Sequence, residues 1–165
     1  MQVLTHRDYF RRFRLSVEQY GEILVAAAFR GEKMGDSQRG FDVRISTTDF
    51  IEVLKGAMIN AGQAVVEKMV SPSFGDEIRL EVKSKVSKTN SGGVAYVVHC
   101  NESKFEDRTS KNGIQKLAMT HLAVIIVNPA SRLESESDEK GTIQHAWLMT
   151  REMAADLRKM KSQSK

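Results

Sequence analysis

The sequence predicts a mixed α/β layered domain. Three observations carry that expectation. Helical apolar spacing appears in "VEQYGEILVAAAFRGEKM" and "FIEVLKGAMINAGQAVVEKMV". Period-two alternation appears in "FDVRIS" and "EIRLEVKSKV". These patterns interleave along one chain, which is the signature of helices packed on a sheet.

Each element has its own local reason. Ser16 followed by Gln19 is a capping-box pattern and starts a helix over about 17–33, ending near Gly31 or Gly35. "GDSQRG" is a polar turn, and Phe41, Val43 and Ile45 then alternate with Asp42, Arg44 and Ser46 as a half-buried strand. Asp49 with Glu52 can cap a second helix that stops before Ser71 and Pro72. "EIRLEVKSKV", "GVAYVVHC", "HLAVIIV" and "TIQHAWLM" read as strands, the first two joined by the loop "SKTNSGG". "NGIQKLAM" reads as a short helix, "SRLESESDEKG" (131–141) as a flexible acidic loop, and Thr150 as the cap of a last helix. Trp147 is expected in the core, and His99 and His121 as packed or hydrogen-bonded residues.

The bulk composition bounds the function classes. With 165 residues, 41% apolar and 28% charged, the chain can bury one real core and is read as a single domain over 1–165. The formal charge is +4 and the pI about 9.2, with basic residues gathered at both ends. Residues 1–15 form a basic N-terminal segment carrying Arg7, Arg11, Arg12 and Arg14, which favours a phosphate-rich partner. The single Cys100 can form no internal disulfide, which fits a reducing, cytoplasmic setting. The four histidines lack metal-ligand spacing. Neither a signal peptide nor an apolar run near twenty residues is visible, so export and membrane spanning are not expected.

One strand carries unusual chemistry. In "RLEVKSK", Glu81 and Lys83 share a face about 6.5–7 Å apart along the strand, two residues of rise. A carboxylate can hold a hard divalent ion, and an ammonium can offset charge on a phosphate. A second carboxylate has to come from a neighbouring strand, and Asp42 on the polar face of "FDVRIS" is the candidate. Glu22 is a helix acid able to point inward. The plain alternatives are a solvated Glu22, an ion pair of Asp42 with Arg44 or Arg79, and cross-strand ion pairs of Glu81 and Lys83.

These residues resemble the PD-(D/E)xK nuclease superfamily, the restriction-endonuclease-like fold. Gly40-Phe41-Asp42 is similar to the family's G-x-D, Glu81-Val82-Lys83 to its E-x-K, and Glu22 to its helix acid, over roughly residues 16–150. The proline of the family name is absent before Asp42. Residues 47–77 stand as an insertion between the two halves, helical at about 47–71. The resemblance implies a mixed β-sheet core flanked by helices. It further implies a Mg²⁺-dependent endodeoxyribonuclease of restriction, repair, recombination or homing type, with Mn²⁺ able to substitute. Asp42, Glu81, the Val82 carbonyl and Glu22 would hold the metal, and Lys83 would orient or deprotonate the attacking water. Arg11, Arg12, Arg14, Lys85 and Lys88 would touch DNA backbone. A homodimer or higher homo-oligomer is expected, with the 49–70 helix as its interface. The alternative is a catalytically silent nuclease-fold subunit that binds DNA or joins an assembly.

Overall fold

Ser16 sets the first helix. Its hydroxyl accepts the Gln19 N–H while the Gln19 side chain accepts the Ser16 N–H, a complete capping box. The computed structural model describes residues 16–35, 40–57, 68–70, 74–86, 99–127 and 143–163. Helix α1 runs Val17–Ala28, shorter than the 17–33 that its spacing predicts. It stops in a Schellman arrangement: the Gly31 N–H bonds the Ala26 carbonyl and the Arg30 N–H the Ala27 carbonyl. Arg30, not a glycine, takes the left-handed position, with φ 56°. The chain is thereby turned into strand β1 (Glu32–Lys33), which lies where continued helix was expected.

Strands β1, β2 (Val43–Ser46) and β3 (Glu77–Val86) form an antiparallel run. Strand β6 (His121–Val127) then pairs parallel to β3, and β7 (Ile143–Thr150) antiparallel to β6. The sheet is thus mixed, in the order β1-β2-β3-β6-β7. A separate small hairpin, β4 (Arg108–Thr109) with β5 (Gln115–Lys116), occupies the stretch expected as a short helix. Gly113 at φ 75° and the Gly113 N–H to Ser110 carbonyl bond close that hairpin, so turn chemistry overrides the weak helical spacing.

Helix α2 (Thr47–Ala57) begins directly after β2. Its cap is Ser46, whose hydroxyl accepts the Asp49 N–H and donates to the Asp49 carboxylate, so the helix starts earlier than an Asp49 cap would give. Helix α3 (Arg151–Gln163) is capped as expected, the Met153 N–H bonding the Thr150 hydroxyl at 3.3 Å.

Alternation sorts the sheet into two faces. Ile78, Leu80 and Val82 point with Val43, Ile45, Ala123 and Ile125 towards α1 and α2, and form the larger core with Tyr20, Val25, Phe50 and Leu54. Met69 and Phe74 are buried in that same core, so the described parts of 47–77 belong to the domain rather than to an appended lobe. His121 anchors them. It is fully buried, its Nε2 lies 2.6 Å from the Met69 carbonyl, and its ring packs on Phe50 and Phe74 at 4.9 and 5.1 Å. The opposite face is smaller: Leu122, Val124 and Ile126 with Met119 and Ala154 of α3.

Trp147 is a correction. It is 47% exposed on β7 rather than buried, because the second core reaches only partway along that strand. Met153, Leu157 and Met160, at i, i+4 and i+7, are also exposed along one side of α3. No helix among the described residues is long and apolar enough to cross a membrane.

Candidate functional site

The site forms just before β2 begins, where β3 continues past it. The antiparallel register pairs Val43 with Leu80, so the next position sets Asp42 opposite Glu81. The backbone supports this, since the Asp42 N–H donates to the Leu80 carbonyl at 2.8 Å. The Asp42 side chain then does what a missing strand residue would do. Its Oδ2 accepts the Val82 N–H at 2.8 Å, satisfying a donor beyond the end of the β2 ladder. In an extended strand the carbonyl of a residue leaves on the same side as its N–H, so the Val82 carbonyl faces the same edge.

Gly40 makes the approach to Asp42 possible. Its φ is 90°, and a Cβ there would stand 2.7 Å from the Leu117 carbonyl oxygen, so both the conformation and the space require glycine. A second glycine brings the helix acid near. A Cβ on Gly21 would fall 1.7 Å from Ser84 Oγ, so glycine lets α1 press against β3 one residue before Glu22.

Glu81 is 1% exposed, an ionisable side chain placed under cover on the sheet face that carries the smaller core. Two lysines meet it. Lys83 Nζ stands 2.7 Å from Oε1, and Lys104 Nζ stands 2.7 Å from Oε2. The second contact is an ion pair without hydrogen-bond geometry, and Oε2 has no hydrogen-bond partner. Lys104 also reaches the Gly40 carbonyl at 3.3 Å. It comes from a short 3₁₀ turn, Glu102–Lys104, well outside the sheet strands. No local sequence pattern announces that Lys104 folds back onto Glu81.

Glu22 lies at the margin. Its Oε2 is 2.8 Å from Lys33 Nζ on β1. Its charge still reaches Asp42. Burial raises the Asp42 carboxyl from 3.8 to about 6, with Glu81 and Glu22 adding to the rise and the Val82 N–H and Lys104 opposing it. Burial pulls the Lys83 ammonium down, but the hydrogen bond and charge of Glu81, helped by Asp42, outweigh it and hold Lys83 above its ordinary value. Burial likewise pushes the Cys100 thiol up; Cys100 is half-buried and lies outside any described strand.

The structure therefore brings Asp42, Glu81, Val82 and Lys83 together and sets Glu22 beside them, engaged by Lys33. The alternative partners for Asp42 are otherwise occupied: Arg44 pairs with Glu32 and Glu77, and Arg79 with Glu77. The Glu81–Lys83 pair runs along one strand rather than across two. Lys85 is exposed at the far end of β3, while Arg11, Arg12, Arg14 and Lys88 lie outside the described residues, as does the acidic loop 131–141.

Among the described residues no group of three or more His, Cys, Asp or Glu is arranged to hold a metal ion. Mg²⁺ does not require one, since it binds through one or two carboxylates and keeps several waters or phosphate oxygens. Asp42 and Glu81 are hard oxygen donors, but each Glu81 oxygen already has a lysine ammonium at 2.7 Å, so an ion would have to displace from Oε2 the Lys104 ammonium, which makes no hydrogen bond to it. With that displacement the donor set fits a small divalent cation. Comparison of the chain with protein-family models, with curated proteins and with solved structures returns no match, so the site is known by its own geometry.

Proposed function

We propose that this chain is a Mg²⁺-dependent endodeoxyribonuclease with a restriction-endonuclease-like core. The observation that carries the reading is the buried Glu81, set opposite Asp42 and beside Lys83 at the open end of β3. Burying a carboxylate costs several kcal/mol, roughly, unless it is paired. A chain that needed only a stable strand could place an apolar residue there. Here it concentrates acids and ammonium groups on one face of the central strand.

Asp42, Glu81 and the Val82 carbonyl would hold the ion, with Glu22 reaching it directly or through water once freed from Lys33. Mg²⁺, when bound, would polarise the phosphodiester and make a coordinated water more acidic. In the metal-free protein Lys83 is held as an ammonium by Glu81, which suits it to donate to the attacking water or the phosphate. In the metal-bound site Glu81 and Asp42 would be engaged by the ion, so the second role expected from sequence, deprotonating the water, stays open to test. Mn²⁺ satisfies the same oxygen donors and should substitute.

Cutting both strands of a duplex needs two sites, so the reading also proposes a homo-oligomer. The expected 49–70 interface is not favoured. Phe50 and Leu54 turn the described part of that helix into the core, and residues 58–67 lie outside the described set. Among the described residues the large apolar side chains left exposed are Met153, Leu157 and Met160 on α3, with Trp147 on β7 and Ile114 in the small hairpin.

Supercoiled plasmid nicking tests the activity. Wild-type protein should nick with Mg²⁺ or Mn²⁺ and not with EDTA, and Asp42→Asn, Glu81→Gln and Lys83→Met should each be inactive while folded. If plasmid is bound with no nicking under any metal, the alternative of a catalytically silent DNA-binding subunit holds. Nicking that survives Asp42→Asn and Lys83→Met would place the chemistry elsewhere.

A further inference from the structure

We propose that Lys104 is a second working cation of the site. In the metal-free protein it holds the Glu81 oxygen that a divalent ion needs; once the ion binds, it turns to the substrate phosphate. This rests on the nuclease reading of the same site.

The geometry around Glu81 motivates it. Both carboxylate oxygens have an ammonium 2.7 Å away, but the two contacts differ. Lys83 shares the strand with Glu81 and makes a hydrogen bond to it. Lys104 approaches Oε2 in charge contact alone, leaving that oxygen without a hydrogen bond. Lys104 is therefore the more easily displaced of the two. Among the described residues its other contact is the Gly40 carbonyl at 3.3 Å, on the turn leading into Asp42. Its side chain is 19% exposed, so a path to solvent and to a docked phosphate remains.

Charge balance gives the same direction. Asp42, Glu81 and Glu22 face Lys83, Lys104 and Lys33, three carboxylates against three ammonium groups. The metal-free site is close to neutral once Asp42 is ionised. Adding a divalent ion leaves two positive charges in excess, one of which an anionic phosphodiester offsets. The two like charges repel at Oε2, so the ion and the Lys104 ammonium oppose each other there. The displaced ammonium, tethered within a side-chain length of the ion, is then a point-charge phosphate binder.

The test is Mn²⁺ titration of the DNA-free protein by calorimetry at pH 8, alongside plasmid nicking, for wild type, Lys104→Met and Lys104→Arg. Removing the competing cation should tighten Mn²⁺ binding by about 3- to 30-fold, a fraction of the Coulomb interaction at these distances. It should also raise KM for plasmid more than it lowers kcat. Lys104→Arg should return both values towards wild type. A purely structural lysine would weaken Mn²⁺ binding when removed, through loss of the Gly40 contact, or leave it unchanged; either result overturns the proposal. If wild type binds no Mn²⁺ and does not nick, the nuclease reading itself fails and this inference falls with it. Mn²⁺ binding and nicking by wild type with no tightening in Lys104→Met sinks the Lys104 role alone.

Discussion

Asp42 accepts the Val82 backbone N–H through Oδ2 at 2.8 Å, and so ends one strand ladder while facing the acid on the next strand. One carboxylate is asked to be both a structural acceptor and a charged ligand. The first task tolerates a neutral side chain; the second does not. The two can therefore be separated by substitution.

Asp42→Asn should stabilise the metal-free protein at neutral pH while abolishing nicking. The carboxyl is raised from 3.8 to about 6, chiefly by burial and then by Glu81, so folding favours its protonated form. That contribution is complete below about 3.8 and is lost as pH rises through about 6. An amide keeps an oxygen for Val82 and carries no charge. In EDTA, the melting temperature of the variant should exceed that of wild type at pH 7–8, by an amount worth roughly 1–3 kcal/mol. The gap should close by about pH 4. A variant less stable than wild type at pH 8 would mean that Asp42 is held mainly by favourable ion pairing.

Gly21→Ala should loosen α1 from β3. The new methyl would fall 1.7 Å from Ser84 Oγ and 3.0 Å from its Cβ, so the hydroxyl must rotate away and the helix or the strand must give slightly. Overpacking of this kind costs about 1–3 kcal/mol. Ser84→Gly removes both atoms, so the double variant should recover much of the loss. A denaturant double-mutant cycle reads the coupling; additive losses would show that the strain is taken up elsewhere. Glu22 follows Gly21 on the helix, so nicking should fall in Gly21→Ala as well.

Why some of this was legible in the sequence, and some not, follows from the range of the interactions. β3 over 77–86 and β6 over 121–127 stand where alternation and continuous apolar runs put them, because those patterns are the cause of the strands. The pairing of Asp42 with Glu81 was reachable, since both alternate within strands that the pattern defines. The lengths of local elements were less so: α1 gives way to β1 because Arg30 turns the chain and Glu32 and Lys33 find β2, a tertiary gain that helix spacing does not encode. Lys104 was beyond reach for the same reason, its partner lying far away in sequence with no periodic relation to it. Trp147, expected in the core, is exposed because the smaller core among the described residues does not extend over it, which the strand pattern does not encode.

Arg30→Gly should be close to neutral or stabilising. Arg30 sits at φ 56°, a conformation costing a side-chain-bearing residue about 1–2 kcal/mol that glycine does not lose. Against this stand its ion pairs to Glu52 at 3.1 Å and Asp49 at 3.7 Å, both well exposed and worth about 0–1 kcal/mol together. The Schellman bonds use backbone atoms and survive the change. Urea unfolding should give a midpoint equal to or above wild type with an unchanged slope. A loss above about 1 kcal/mol would show that the α1–α2 ion pairs matter more than exposed pairs usually do.

His121 should make the fold acid-sensitive, in the sense opposite to Asp42. Burial holds its imidazole below the ordinary 6.5, against the Met69 carbonyl and the distant Glu152, which favour the charged form. The ring is neutral at pH 8, with Nε2 donating to the Met69 carbonyl and Nδ1 next to the Thr120 hydroxyl at 2.9 Å. For a group whose value is depressed, the stability it contributes is complete above about 6.5 and lost as pH falls through the folded value. His121→Phe removes the titration but also the Met69 hydrogen bond, leaving that carbonyl unpaired at a cost of about 1–3 kcal/mol. Wild type should therefore exceed His121→Phe in stability at pH 8, and the difference should shrink as pH falls from 6.5 towards 4.5. Measuring urea midpoints of both proteins across that window checks it. A difference that stays constant would mean that the imidazole remains neutral throughout, and that the acid response of the fold comes from other groups.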